Sequence, residues 1–245
     1  MAPTLVSLVP SLTELLFWFG LGDSVLGRTR FCTEPAGEVE RVRIIGGTKN
    51  PNIERIVALQ PGLVLANKEE NRKEDIEALQ ATGLRVHVTD PNSVAEAAAT
   101  VRQLGGILGV QSRADELASA TETAVAGGDG AGLQRRVFVP IWKEPLMGLG
   151  GMSYGDDVLR CAGGVNVLGG RPRYPEVTLE EVAALHPELV LLPDEPYPFK
   201  ASDAAMFADV APGAVIDGKL LWWYGPRMPD SLRTLRELLR RAEAG

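Results

Sequence analysis

One block of this sequence occurs twice, and that repetition constrains the fold more than any other feature. Residues 52–67 (NIERIVALQPGLVLAN) align with residues 178–193 (TLEEVAALHPELVLLP) at an offset of 126, so that Glu54 pairs with Glu180. A shorter match recurs at an offset of 142, so the first copy carries a loop that is 142 − 126 = 16 residues longer. Since matching sequences specify matching local structures, the chain is predicted to form two similar lobes.

Strand-like and helical patterns alternate along both halves. Helical patterns lie between most of the predicted strands, and alternation of this kind is typical of α/β layers with mainly parallel sheets flanked by helices. Within the repeat, Asn52 and Thr178 are predicted helix N-caps, and Ser11 with Glu14 reads as a capping box for the first helix. The predicted strands lie at residues 4–9, 63–66, 85–88, 136–141, 189–192 and 214–216.

A single helix is predicted to join the lobes. Residues 112–126 (SRADELASATETAVA) are rich in Ala, Glu and Leu and end at two glycines. A helix of this length spans roughly 22 Å, about the width of a lobe, and would hold the lobes apart with a ligand cleft between them. We therefore predict an N-terminal lobe at 1–110, a backbone helix at 111–127 and a C-terminal lobe at 128–245.

Composition excludes several classes of protein. With 25 Lys and Arg against 32 Asp and Glu, the net charge of −7 disfavours nucleic-acid binding. The longest apolar region, residues 5–22, contains polar residues and Pro10, so no membrane insertion is expected. No leader pattern is recognisable, which predicts a cytoplasmic protein if Met1 is the native start and a periplasmic or cell-surface one if a leader was trimmed. Cys32 and Cys161 are expected to be unpaired thiols.

Catalytic and metal sites find little support in the residues. Two histidines are too few for a bare transition-metal site, so no metal ligands are assigned. The segment 148–153 (GLGGMS) resembles a dinucleotide-binding loop, but Ser153 replaces its third glycine. A cytoplasmic α/β enzyme or ligand sensor that uses the same cleft remains the alternative function.

Three segments carry a resemblance to a known family: SLVPSLTELLFWFGLGDSVLGRT, the first copy of the repeat, and CAGGVNVL followed by the second copy. They resemble the helical-backbone (class III) substrate-binding proteins of ABC importers, and within that class the cobalamin-binding proteins. The resemblance implies a non-enzymatic, monomeric solute-binding protein without a catalytic cofactor. It would capture a corrinoid, or another bulky ligand such as a ferric siderophore or haem, for an ABC permease dimer.

The same resemblance implies a set of ligand contacts, in which aromatic side chains enclose a flat ligand. Thr48 and Asn67 stand where cobalamin binders typically carry tryptophan, a departure that leaves room for another bulky ligand. Basic side chains such as Arg30 and Lys49 could form a cationic rim. The predicted ligand contacts are Phe31, Thr48, Asn67, Lys68, Trp142, Met147, Tyr174, Trp222, Trp223 and Arg227.

A pair of glutamates completes the predicted sites. Glu54 and Glu180 occupy equivalent places in the two copies of the repeat, each two residues after its predicted N-cap. Carboxylates in a first helical turn are stabilised by the helix dipole, which accounts for either residue alone. In the family, a glutamate on each lobe docks into arginine pockets of the two permease subunits, so the resemblance implies that Glu54 and Glu180 are docking residues. Both are predicted to be exposed and free of Arg or Lys partners.

Overall fold

The structure is a computed structural model, and it describes residues 3–127 and 134–241. These residues form two compact units. Unit 1 comprises residues up to Pro91, Ala98–Ser119 and Tyr224–Pro226. Unit 2 comprises Asn92–Ala97, the described residues of 120–223, and those from Arg227 onward.

Unit 1 is built on a five-stranded, fully parallel sheet with strand order β3-β2-β1-β4-β5. Its central strands are apolar and buried on both faces, as is typical of a parallel sheet covered by helices. The strands are β1 (Leu5–Ser7), β2 (Val25–Arg28), β3 (Arg43–Ile44), β4 (Leu63–Asn67) and β5 (Val86–Thr89), and the helices between them are α1 (Pro10–Trp18), α2 (Ile53–Ala58) and α3 (Lys73–Ala81).

Two longer helices follow, α4 (Val94–Leu108) and α5 (Gln111–Ala126). The second confirms the helix predicted at 112–126. The division into units cuts both helices: Asn92–Ala97 belongs to unit 2 and Ala98–Ser119 to unit 1. The N–H of Val94 shows why the start of α4 belongs to unit 2, because it donates to Asp157 Oδ2 of that unit at 2.8 Å.

Unit 2 contains a four-stranded parallel sheet with order β11-β10-β6-β9 and a two-stranded antiparallel sheet, β7-β8. Its core includes the rings of Phe138 and Phe207, whose centroids are 5.9 Å apart. The strands are β6 (Arg135–Phe138), β7 (Pro140–Trp142), β8 (Met147–Gly148), β9 (Gly164–Asn166), β10 (Leu189–Pro193) and β11 (Gly213–Ile216), and the helices are α6 (Tyr154–Cys161), α7 (Leu179–Ala184), α8 (Lys219–Trp222) and α9 (Met228–Arg241).

The sequence repeat is also a structural repeat. In each copy a six-residue helix, α2 or α7, is followed by a five-residue buried strand, β4 or β10. The predicted caps are confirmed, since Asn52 accepts a hydrogen bond from the Arg55 N–H and Thr178 forms a capping box with Glu181. Even the left-handed residue after each helix recurs, with φ of 46° at Gln60 and 47° at His186.

One local prediction is wrong. Helix α1 begins at Pro10, its N-cap is Val9, and no side chain caps it. Pro10 suits the first helical position because its missing N–H would have no partner there. Ser11 therefore lies inside the helix, where it is buried, rather than at its cap.

Candidate functional site

In unit 1, Phe31 forms an exposed aromatic surface. The ring is 54% exposed, and the guanidinium carbon of Arg30 lies 5.6 Å from its centroid. Gly47 packs so closely that a side chain there would meet Asn50 Oδ1 at 2.3 Å and the Phe31 ring at 3.3 Å. The Phe31 ring therefore has a close backbone neighbour on one side and a cation beside it, and much of it remains accessible.

Two other predicted contacts of unit 1, Thr48 and Lys68, differ from Phe31 because they already interact with groups of the protein. Thr48 is buried, and its carbonyl accepts a hydrogen bond from Asn71 Nδ2 at 3.0 Å. Lys68 is exposed and forms an ion pair with Asp90, with Nζ and Oδ2 2.6 Å apart. Lys49 Nζ donates to the Glu69 carbonyl at 2.5 Å. Of the predicted cationic rim in unit 1, Arg30 is the member that accompanies an exposed ring.

Asn67 lies at the centre of a buried hydrogen-bond network. Its Oδ1 accepts from the N–H groups of Glu69 and Glu70, and its Nδ2 donates to the Thr89 carbonyl at 3.1 Å and to the Tyr224 hydroxyl at 3.3 Å. The Thr89 hydroxyl donates to the Ala66 carbonyl, so it accepts from the Tyr224 O–H at 2.6 Å. The Asn67 amide therefore closes the turn after β4.

We expect Tyr224→Phe to lower the free energy of unfolding by about 1–2 kcal/mol, because it removes two buried hydrogen bonds. Burial raises the pKa of the Tyr224 hydroxyl, so it remains a donor at neutral pH. Urea unfolding at pH 7 measures the loss. A stability equal to that of the wild type would show that the network contributes nothing.

Unit 2 also has an exposed aromatic side chain, that of Trp142. Its side chain is 44% exposed, and its ring meets the edge of Tyr197 with centroids 5.5 Å apart. The indole N–H donates to the Glu144 carbonyl at 3.1 Å, which fixes the orientation of the ring. Next to it, Lys143 Nζ and Asp203 Oδ1 form an ion pair at 2.7 Å. The ring is thus preorganised at the surface.

Met147 and Tyr174 lie on one hydrogen-bonded ladder of unit 2, and both are half-buried. Met147 forms an isolated bridge with Glu176, and the N–H of Gly150 donates to the Arg173 carbonyl at 2.7 Å. A side chain at Gly150 would meet the Arg171 carbonyl oxygen at 2.3 Å. The ladder therefore tolerates only glycine at that position and holds the neighbouring side chains firmly.

The consecutive tryptophans have unequal environments. Trp222 is half-buried, and its indole N–H donates to the Glu195 carbonyl at 2.7 Å. Trp223 is only 7% exposed, with Lys219 Nζ and the guanidinium carbon of Arg227 each 5.4 Å from its ring centroid. The buried Trp223 ring therefore makes cation–π contacts with Lys219 and Arg227, and Trp222 is the more accessible of the two rings.

Glu195 ties this cluster together, and no motif in the sequence singles it out. Burial raises the pKa of its carboxyl from 4.5 to about 7, and the negative charges of Asp194 and Asp217 act in the same direction. A hydrogen bond to Trp223 and the charge of Lys219 oppose the rise in pKa. Glu195 can therefore change its protonation state near neutral pH.

This raised pKa predicts that Glu195→Gln stabilises the protein at alkaline pH. The folded state binds the Glu195 proton more tightly than the unfolded state does. The stability that this proton contributes to the fold is therefore fully present below about pH 4.5 and is lost as pH rises to about 7. The variant should exceed the wild type by about 1–3 kcal/mol at pH 8 and match it near pH 4. Urea unfolding across this range measures the difference, with Glu77→Gln as control. A constant difference at all pH values would contradict the assignment.

Glu54 and Glu180 are both exposed, as predicted. Among the described residues, neither forms an ion pair with Arg or Lys. The pKa of Glu180 is lowered by hydrogen bonds from its own N–H and from Thr178, so this carboxylate stays ionised. The neighbouring Glu181 differs, because it pairs with Arg171 at 3.2 Å. Each member of the repeated pair therefore presents an uncompensated negative charge.

The described part of the chain contains neither a cluster of metal-binding side chains nor a membrane-spanning helix. Across 3–127 and 134–241, no group of three or more His, Cys, Asp or Glu side chains could hold a metal ion. In the same residues, no helix combines the length and apolarity needed to cross a membrane.

Comparisons with known proteins agree on one family. Residues 5–195 match the model of the periplasmic binding protein family. The vitamin B12-binding protein of Salmonella choleraesuis (strain SC-B67) is 31% identical over 195 residues, which cover 78% of this chain and 72% of that protein. The vitamin B12-binding protein of Vibrio parahaemolyticus is 28% identical over 191 residues, or 76% of this chain and 68% of that protein.

Solved structures show the same fold. The periplasmic vitamin B12 binding protein BtuF of Vibrio cholerae superposes with a TM-score of 0.85 at 20% identity, covering 100% of this chain and 99% of that one. The periplasmic heme-binding protein RhuT from Roseiflexus sp. RS-1 superposes with a TM-score of 0.83 at 22% identity, covering 99% of both chains. The predicted α/β fold and the family resemblance are thereby confirmed, and the chain belongs to the periplasmic binding protein family.

Proposed function

We propose that this protein captures a corrinoid, or a similarly bulky flat ligand such as haem or a ferric siderophore, for import by an ABC permease dimer. The observation that carries the proposal is Phe31, an exposed aromatic residue whose ring lies beside the Arg30 guanidinium and close to Gly47. An exposed aromatic side chain leaves apolar surface in contact with water, and a flat ligand that stacks on the ring buries that surface. The relatives named as vitamin B12-binding proteins make a corrinoid the first candidate.

Trp142 supports the same proposal from unit 2. It is a second exposed, oriented ring, and Trp222, Tyr174 and Met147 provide further half-buried apolar surface in that unit. Thr48 and Asn67 do not extend this aromatic surface, because both are buried and neither is aromatic. We assign Phe31 and Trp142 as stacking residues, with the others as flanking contacts.

Haem is the second candidate, and Arg30 is the reason. Haem carries carboxylates, and a guanidinium binds carboxylates through charge-assisted hydrogen bonds. The hydrogen bond from Arg30 Nη2 to Asn50 Oδ1 is long, at 3.4 Å, and therefore weak, so a ligand carboxylate could replace it. Arg227 beside Trp223 offers similar chemistry in unit 2.

In this proposal the protein is a monomeric binding protein rather than an enzyme, and it acts outside the cytoplasmic membrane. The ligand is then cargo rather than a cofactor. Glu54 and Glu180 are the proposed contacts to the two permease subunits, in keeping with their exposure and repeated position.

A titration with three probes tests the proposal. Cyanocobalamin, haemin and a ferric siderophore are each added to the purified protein while tryptophan fluorescence is recorded. We expect saturable quenching with one of the three, because Trp142 and Trp222 lie at or near the proposed surface. Failure of all three to bind would refute the proposed ligand class. Cell fractionation tests the location separately.

A further inference from the structure

Met152 combines two unfavourable features at one position. Its backbone has φ of 60°, in the left-handed region that residues other than Gly, Asn and Asp rarely adopt. Its side chain is 75% exposed, more than any other large hydrophobic side chain among the described residues. Glycine would relieve the backbone and a polar residue would suit the water, so stability gives no reason for methionine here.

The surrounding chain keeps Met152 in this conformation. The N–H of the preceding residue, Gly151, donates to the Arg171 carbonyl at 2.7 Å, and the N–H of Arg173 donates back to the Gly151 carbonyl at 2.8 Å. A side chain at Gly151 would meet the Gly169 carbonyl oxygen at 2.2 Å, so the two segments pack backbone against backbone. On the other side, the Ser153 hydroxyl donates to the Gly150 carbonyl at 3.0 Å. Met152 is therefore presented to solvent by rigid neighbours.

Of the three other non-glycine residues with a positive φ among the described residues, Arg173 (φ 59°) is a polar residue hydrogen-bonded to Gly150 and Gly151, and the other two follow helices. Gln60 and His186 follow helices α2 and α7, and their N–H groups donate to Val57 and Ala183 carbonyls, as in a helix C-terminal cap. Both are polar. Met152 ends no helix and exposes an apolar chain, so the same explanation does not apply to it.

The ladder that holds Met152 also carries Met147 and Tyr174, two of the proposed flanking contacts. We propose that Met152 is a ligand-contact residue, and that its thioether and methylene groups pack against the apolar face of the flat ligand. This inference rests on the proposed function. Methionine suits the role because its flexible, polarizable side chain adapts to aromatic surfaces. The strained backbone fixes where the side chain begins, and the ligand covers the apolar surface that water now meets.

Three variants of Met152 separate ligand contact from strain. Met152→Gly should raise the Tm by about 2–4 °C, because it relieves the left-handed backbone, and should weaken binding about tenfold, because it deletes the contact. Met152→Gln keeps the length and the strained backbone but loses the apolar contact, so we expect weaker binding at an unchanged Tm. Met152→Leu should bind within about threefold of the wild type, since an apolar side chain remains.

His186→Gly is the matched control, because it relieves a left-handed backbone at the C-terminus of α7, outside the ladder. It should raise the Tm without changing affinity. Dissociation constants for cyanocobalamin and haemin, measured by fluorescence quenching beside thermal melts, provide the readouts. If Met152→Gly raises the Tm and binds both probes like the wild type, Met152 is not a ligand contact, and an accompanying loss of uptake would identify a partner surface instead. If the wild type binds neither of these probes nor the ferric siderophore, the proposed function fails and this inference with it.

Discussion

Charge reversal at both Glu54 and Glu180 should abolish uptake of the ligand while leaving its affinity for the purified protein unchanged. Both carboxylates are exposed and lack Arg or Lys partners among the described residues. An arginine pocket that receives a carboxylate would instead face a lysine, and like charges brought together at an interface cost several kcal/mol. The measurement is uptake by cells whose only copy of this protein is the Glu54→Lys, Glu180→Lys variant.

The chain offers a control with the same change in net charge. Glu77 and Glu181 are also exposed glutamates, one in each unit, but both already pair with a basic neighbour: Lys73 in one case and Arg171 in the other. The Glu77→Lys, Glu181→Lys variant should therefore retain uptake, apart from a modest loss of stability at the Thr178 capping box. Equal uptake by the two double variants would remove Glu54 and Glu180 from the docking role.

Truncating either exposed stacking ring should weaken ligand binding by about 10- to 100-fold. Aromatic stacking of a flat ring on a protein side chain contributes roughly 1–3 kcal/mol by alanine substitution in a comparable setting. Phe31→Ala and Trp142→Ala remove the two rings that the structure exposes and orients. Phe31→Ala should change the Tm little because its ring is mostly exposed, whereas Trp142→Ala also loses the contact with Tyr197 and the hydrogen bond to Glu144 and should lower the Tm modestly. Titration with the probe that the wild type binds measures the loss.

Trp18→Ala controls for a general effect of deleting a surface aromatic residue. Trp18 is exposed at the end of α1, packs on Phe19, and belongs to none of the proposed contacts. Its removal should leave the dissociation constant unchanged. Wild-type affinity in both Phe31→Ala and Trp142→Ala would show that the ligand binds elsewhere.

Much of the fold follows from short-range patterns. The repeat predicted α2 with β4 and α7 with β10, including the caps Asn52 and Thr178, because a cap depends on residues only three positions away. The Ala- and Glu-rich composition of residues 112–126 predicted α5, because helix propensity is also a local property. Ser11 shows the limit of this reasoning. Pro10 and Ser11 both suit the start of a helix, and in the structure Pro10 takes the first helical position, which puts Ser11 inside the helix.

The candidate site was predicted less completely. Exposure of Phe31 and Trp142 agrees with a binding role, but the groups beside their rings include Gly47 and Tyr197, which lie 16 and 55 residues away in the sequence. For the aromatic run 222–224, the geometry of a helix or strand requires neighbouring side chains to diverge. It could not show that Trp223 would be covered, because the covering groups come from several elements of unit 2.

The sequence by itself therefore determined the elements, the repeat and the family, since these depend on periodicity and on neighbours a few residues apart. Only the tertiary structure decided which polar and aromatic groups are buried. The Tyr224 hydroxyl meets Thr89 across 135 residues, and the pKa of Glu195 is raised by burial beneath tryptophans that follow it by 27 residues or more. Burial and hydrogen bonding of this kind depend on the packing of distant segments, which no local pattern records.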